Sequence, residues 1–177
     1  MEIRVLKKSE HKIYFDEILE MLICCDNEFV PPLSTRKSTT QTKLNGTKML
    51  GDGIASYFEE MNKQKILIAT ENEKVIAFVA FRENFTNEKI PESELPNIYI
   101  STLIVHPEER GKKLTQKIYA TLFDEYKTAN VFTRTWSTNL AHIRILSKFN
   151  FERVCVIEND RGEGIDTFYF KKPFETV

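Results

Sequence analysis

Ser101-Thr-Leu-Ile-Val-His-Pro-Glu-Glu-Arg-Gly-Lys-Lys-Leu-Thr115 reads as a buried strand that passes through a short loop into a helix. The apolar, β-branched run from Ile98 to Val105 predicts the strand, Pro107 ends it, and Leu114, Ile118, Leu122 and Tyr126 then recur at helical spacing. The helix is expected to start at about Arg110 to Gly111. N–H groups in a first helical turn have no intrahelical partner and carry the positive end of the helix dipole, so an anion beside them is stabilised. Arg110, Lys112 and Lys113 add positive charge at the same point. Basic residues beside a loop glycine are also common on solvated surfaces, so the meaning of the segment depends on its surroundings.

Before it, Glu2 to Leu6 alternates as a strand, and Ser9 precedes a periodic run of Ile13, Phe15, Ile18, Leu19, Leu22 and Ile23 that predicts a first helix ending near Asn27. From Phe29 to Gly51 the chain turns to Pro, Ser, Thr, Asn and Gly with Arg36, Lys37, Lys43 and Lys48 and no acidic residue, a long basic connection. Ile54 to Asn62 predicts a second helix. Ile66 to Thr70 and Val75 to Phe81, joined by Glu71-Asn-Glu-Lys74, predict a hairpin. The stretch from Arg82 to Asn97 is polar and acidic, punctuated by Pro91 and Pro96.

After it, Val131 to Trp136 predicts a further strand, and Ser137 or Thr138 is placed to cap a helix from Asn139 to Phe149. Phe151 to Ile157, the turn-rich Asn159 to Gly164, and Ile165 to Phe170 predict a closing hairpin. Hairpins alternating with single helices imply a mixed α/β sheet with helices on its faces.

The 177 residues suffice for one domain over 1–177, with a full core and no need of metal or disulfides. With 25 basic and 26 acidic residues the net charge is -1, which gives no general attraction to nucleic acid or an anionic membrane. No run approaches the roughly 18 apolar residues of a membrane span. The first strand begins at Glu2 with no room for a signal peptide, so a cytoplasmic protein is expected. Cys24, Cys25 and Cys155 form neither a disulfide framework nor a zinc set, and are read as small core residues. His11, His106 and His142 show no ligand spacing, so no metal is implied.

The element order, with Val105 to Thr115 at its centre and Asn139 to Phe151 after the next strand, resembles the GNAT superfamily of acyl-CoA-dependent N-acetyltransferases along essentially the whole chain. The resemblance implies a largely antiparallel sheet splayed at its fourth strand, acetyl-CoA as cosubstrate, no metal, and an amine acceptor, with a homodimer admitted. It places pantetheine along Leu103, Ile104 and Val105 and pyrophosphate against Arg110, Gly111, Lys112, Lys113, Leu114 and Thr115. Asn139 would bond the pantetheine arm. Departures are visible: the family pattern has Gln or Arg where this chain has Glu108, and Gly or Ala where it has Lys113. Asn150 replaces a helix-ending Gly, a benign change because Asn tolerates the left-handed terminus.

Leu146 stands where many members place a tyrosine that protonates the leaving thiolate. His142, one turn earlier on the face of Asn139 and Leu146, is the candidate donor, against the ordinary reading of a histidine bonded near a helix start. No carboxylate lies on the face expected to hold Tyr99, Ser101, Leu103 and Val105. Ser101 and Tyr99 are candidates to hold a water, and Glu92 or Glu94 to reach in from the preceding loop. The basic first loop suits an amine with a carboxylate and the acidic second loop suits a cation, which leaves the acceptor open. Trp136 and Phe132 are read as core. A non-catalytic acyl-CoA sensor is the alternative, whereas an RNA-binding arm at Arg36 to Lys48 lacks the interleaved aromatics it would need.

Overall fold

Seven strands form one sheet in the order β1-β2-β3-β4-β5-β7-β6. In chain order the elements are β1 (Glu2–Val5), α1 (Phe15–Cys25), α2 (Ile54–Asn62), β2 (Lys65–Glu71), β3 (Lys74–Glu83), β4 (Asn97–Val105), α3 (Leu114–Glu125), β5 (Asn130–Trp136), α4 (Leu140–Lys148), β6 (Glu152–Ile157) and β7 (Thr167–Lys172). The structure is a computed structural model that describes residues 1–45 and 53–174. Lys48 and the end of the expected basic connection at Gly51 lie outside the described residues. The succession of strands and helices is the one read from the sequence. Among the described residues no helix is long and apolar enough to cross a membrane.

Strand alternation builds two cores, one on each face of the sheet. Ile66, Ile68, Phe78 and Ala80 meet Ile18 and Leu22 of α1 and Tyr57, Phe58 and Met61 of α2 on one face. Leu67, Val79 and Phe81 meet Ile118, Tyr119 and Leu122 of α3 and Leu146 of α4 on the other. Within α1 the buried stripe is Ile18, Met21, Leu22 and Cys25, while Ile13 and Ile23, expected on it, are 70% and 55% exposed. Cys24 is exposed too, contrary to its core reading, because neighbours in a helix lie about 100° apart and Cys25 takes the inward direction.

Every neighbouring pair of strands is antiparallel except β4 and β5. That parallel pairing runs only from Asn97 opposite Asn130 to Ile100 opposite Thr133. At the same point β4 carries a bulge: Ala80 faces Thr102 and Phe81 faces Ile100, so Ser101 is the extra residue. A bulge bends its strand and increases the twist, and β4 leaves β5 there. The inserted residue also changes which side chains share a face. Leu103 and Val105 pack with Ile98 and Ile100 on the α3 side, while Thr102 bonds Tyr57 of α2 on the other. The expected face of Tyr99, Ser101, Leu103 and Val105 is thus corrected, since it assumed an unbroken period of two.

α3 begins at Leu114 rather than at Arg110 to Gly111. Pro107–Glu109 forms a separate 3-10 turn, and both Gly111 (φ +80°) and Lys113 (φ +60°) are left-handed before the helix starts. The position where the family pattern has a small residue is therefore one whose backbone glycine adopts without strain. α4 is capped by Asn139 itself, not by Ser137 or Thr138: its Oδ1 accepts the His142 N–H at 3.3 Å.

Candidate active site

The splay opens a cavity of about 380 Å³ between β4 and β5. His106 donates its N–H to Ile76 of β3. Because successive residues of a strand direct their backbone groups to alternate sides, Ile104 and Thr102 also turn toward β3, and Leu103 and Val105 turn toward the cleft. Val105 confirms this direction, since its carbonyl accepts from Arg110 Nε at 3.2 Å. Leu103 thus presents a free N–H and a free carbonyl on a strand edge that β5 no longer covers. Ile104, expected beside them, offers no backbone group there and is buried.

The far end of the cleft meets the start of α3. The first bond of that helix runs from Lys117 N–H to Lys113 O, so Leu114, Thr115 and Gln116 offer three N–H groups without an intrahelical acceptor. The first turn contains no acidic residue, and Glu108 stands exposed on the preceding turn. Leu114 contributes only backbone, its side chain being core. The four residues before α3 do not all aim at this point. Arg110 pairs with Glu28 at 2.8 Å and Lys112 with Glu109 at 2.6 Å. The Lys113 ammonium makes neither a hydrogen bond nor an ion pair among the described residues, and Gly111 supplies the turn.

On the β5 side, Asn139 and His142 both line the cleft. The Asn139 amide is held at both ends, its Nδ2 donating to Thr135 Oγ1 at 3.1 Å while Oδ1 caps α4. His142 Nε2 lies 2.7 Å from the hydroxyl of Tyr119 on α3. Burial lowers the imidazole to about 4, so the ring is neutral at pH 7. The same burial raises the Tyr119 phenol, which stays protonated. Tyr119 was not singled out by the sequence, because at helical spacing it reads as one more core aromatic beside Ile118 and Leu122. Leu146 is fully buried, and a phenol reaching from α3 instead of α4 meets His142 in its place.

Ser101 lines the cleft too, but its hydroxyl faces two acceptors, Gln64 Oε1 at 2.8 Å and the Ala80 carbonyl at 3.2 Å, so its one proton is committed inward. Glu94 does not line the cleft. Its carboxylate holds Lys171 at 2.5 Å and Asn130 Nδ2 at 3.2 Å, at the end of the sheet where β4 and β5 are still paired. The Glu92 alternative is exposed. Glu28, already paired to Arg110, is the one carboxylate among the described lining residues. Trp136, read as core, instead borders the cleft against Phe29 at 5.8 Å, while Phe132 is core as expected.

The family model described as "Acetyltransferase (GNAT) family" matches residues 33–151. The chain belongs to the GNAT acetyltransferase family. Its fold is that of solved GNAT proteins at low identity. An N-acetyltransferase from Staphylococcus aureus Mu50 superposes with a TM-score of 0.67 at 19% identity over 98% of each chain. An aminoglycoside 6'-acetyltransferase type Ii gives 0.70 at 14% over 100% of this chain and 99% of its own. A putative acetyltransferase from Salmonella typhimurium, solved with its cofactor acetyl-CoA, gives 0.61 at 14% over 99% and 95%. No curated protein matches the chain. The GNAT splay at β4 lies where the sequence anticipated it, whereas the helix beyond it starts later than expected, at Leu114.

Proposed function

We propose that this GNAT protein moves an acetyl group from acetyl-CoA to a primary amine by direct transfer in the cleft between β4 and β5. The observation that carries the reading is the bulge at Ser101, which frees the Leu103 backbone on one side of a cleft ending at the unsatisfied N–H groups of Leu114, Thr115 and Gln116. An amide-bearing arm with a pyrophosphate at one end needs such a layout: a strand edge for the amides, then a helix start for the charge. Acetyl-CoA supplies an activated acyl carbon and a thiolate leaving group.

This chain's residues then divide the work. Leu103 N–H is placed to donate to the carbonyl oxygen as charge develops on it. Ser101 Oγ, its proton turned inward, offers a lone pair to the amine or to a water. If the protonated Tyr119 phenol is the donor to Nε2, the proton of neutral His142 sits on Nδ1, where it can be offered to a sulfur seated in the cleft that His142 lines. As the amine nitrogen bonds to the acyl carbon and the C–S bond breaks, the nitrogen loses a proton and the sulfur requires one. Neutral His142 is too weak a base to deprotonate an alkylammonium, whose ordinary pKa lies near ~10, and too weak an acid to give up its one ring proton to a thiolate, so it acts by hydrogen-bonding the departing sulfur. The acceptor enters as free amine, and the proton its nitrogen loses on forming the amide passes through water to the sulfur. The expected signature is release of free CoA thiol that depends on an added amine, with product one acetyl group heavier by mass spectrometry. Acetyl-CoA binding without amine-dependent release across a broad amine panel would instead mark the protein as a non-catalytic acyl-CoA binder.

A further inference from the structure

Beyond the catalytic edge, the face of β5 that looks toward α1 and α2 ends in arginine. Arg134 projects there beside Tyr169 of β7, with Nη1 at 3.4 Å from the phenol oxygen. Arg36 reaches the same region from the first loop and Arg161 from the last, buried at 5% and 6% exposure. Arg36 is held by the Pro31 carbonyl at 2.8 and 3.1 Å, and Arg161 by Val30 O at 2.6 Å and Thr167 Oγ1 at 2.8 Å. The aromatic pair Phe29 and Trp136 lies between them, with Arg36 over the first ring at 5.7 Å and Arg161 over the second at 5.6 Å.

No carboxylate forms an ion pair with any of the three among the described residues. Asp160 and Asp26 are the nearest acidic influences, and both are used elsewhere: Asp160 accepts from the Leu44 N–H and Thr167 Oγ1, and Asp26 accepts from the backbone and hydroxyl of Ser34. Burial lowers Arg36 to about 10 and Arg161 to about 9, and mutual repulsion within the cluster adds to it, yet both remain cations at neutral pH. Arg134 moves the other way, since burial against its charge is outweighed by Tyr99 and Tyr169. Only two buried side-chain nitrogens or oxygens lack a partner among the described residues, and both belong to arginines: Nε of Arg82 and Nη2 of Arg134. Of these two arginines, Arg134 lines the cleft.

A buried charge without a partner is destabilising, and more so with two further cations nearby. Such an arrangement is maintained where a ligand brings the missing anion. Arg134 also follows Thr133, the last residue of β5 paired with β4, so it stands on β5 where the splay opens and lines the same cleft as Ser101. We propose that Arg134, in the field of Arg36 and Arg161, binds the carboxylate of the acceptor, and that the acceptor is an amine bearing a free carboxylate, such as an amino acid. This assignment rests on the acetyl-transfer reading for the identity of the amine. It favours the basic of the two loops read from the sequence, because no carboxylate of the acidic stretch lines the cleft: Glu83 is taken by Lys65 and Tyr126, Glu94 by Lys171, and Glu88 and Glu92 are exposed.

Trp136 is the single tryptophan of the chain and touches the cluster, so its fluorescence reports binding without turnover. Titration with N-acetylglycine, a product-like carboxylate, is compared with N-acetylglycinamide. The acid is expected to bind about 10-fold or more tightly than the amide, and Arg134→Gln to bring that ratio close to one. In acetyl transfer, glycine is expected to show a lower KM than glycinamide, although the amide's amine gives up its proton more readily. Equal binding of acid and amide by the unaltered protein, a comparison that needs no variant, overturns the assignment, as does an unchanged ratio in a folded Arg134→Gln protein. Acetyl-CoA titration separates the two proposals: acid-selective quenching without acetyl-CoA binding upholds the anion site and removes the transfer reading, whereas acetyl-CoA turnover without acid selectivity removes the anion site alone.

Discussion

Replacing His142 with glutamine isolates one titration from every other in the chain. The imidazole is lowered from 6.5 to about 4 by burial, against α3 and beneath the cleft, with Tyr119 on Nε2. Above pH 6.5 the ring is neutral in both folded and unfolded chains and its titration adds nothing to the pH dependence. Between pH 6.5 and 4 the unfolded chain binds a proton that the folded one refuses, so stability falls as the pH falls. At about 1.4 kcal/mol per pH unit the full difference approaches roughly 3 kcal/mol, and because His142 borders an open cleft, about 2–3 kcal/mol is the expected loss by pH 4.5. Urea unfolding of both proteins at pH 7.5, 6.5, 5.5 and 4.5 reads it directly, since all other titrating groups are shared and cancel in the comparison. The variant is expected to be less stable at pH 7.5, having lost packing, and to close or reverse the gap by pH 4.5. A gap that stays constant within about 0.5 kcal/mol over that range would refute the neutral, buried imidazole assigned here as a hydrogen-bond donor to the leaving sulfur.

Three further outcomes follow from single contacts. Tyr119→Phe removes the hydroxyl at 2.7 Å from His142 Nε2 and leaves a buried nitrogen unpaired, a loss of about 1–2 kcal/mol in urea unfolding, accompanied under the transfer reading by a fall in kcat larger than any change in KM for the amine. Glu28→Gln releases Arg110 from a pair whose members are 45% and 49% exposed; stability should change by less than about 0.5 kcal/mol, while acetyl-CoA affinity measured calorimetrically at low salt rises and the gain fades as salt is added. Gly111→Ala meets no atom within 4 Å, so its cost comes from φ +80° alone, about 1 kcal/mol by thermal or urea unfolding, with Gly111→Asn recovering part of it.

The order of elements was legible because hydrophobic periodicity and Pro and Gly punctuation are local signals, and Ile98 to Val105 followed by Leu114, Ile118 and Leu122 carries both. The bulge was not, because Ser101 breaks no pattern in composition; it shows only as a shift of β4 against β3. That one inserted residue moved Thr102 to the α2 face and invalidated the side-chain parity read from alternation. Arg110 and Lys112 were read as free charge because sequence spacing cannot show that Glu28, far away in the chain, and Glu109 occupy them. Tyr119 and the arginine cluster were missed for different reasons. Tyr119 is indistinguishable by spacing from core aromatics, while Arg134 did carry a signal: an arginine between Phe132 and Trp136 on a strand read as buried has to meet an unusual environment. Arg36 and Arg161 lie in loops, where charge is normally solvated, and only the meeting of the first and last loops buries them.

The most direct test of the acetyl-CoA site on which the transfer reading depends is the structure of the protein with acetyl-CoA bound. The account predicts the pantetheine amides along the Leu103 edge, the pyrophosphate on the N–H groups of Leu114, Thr115 and Gln116, and the sulfur beside His142. Acetyl-CoA seated outside the cleft between β4 and β5, with the Leu103 N–H still free, would contradict it.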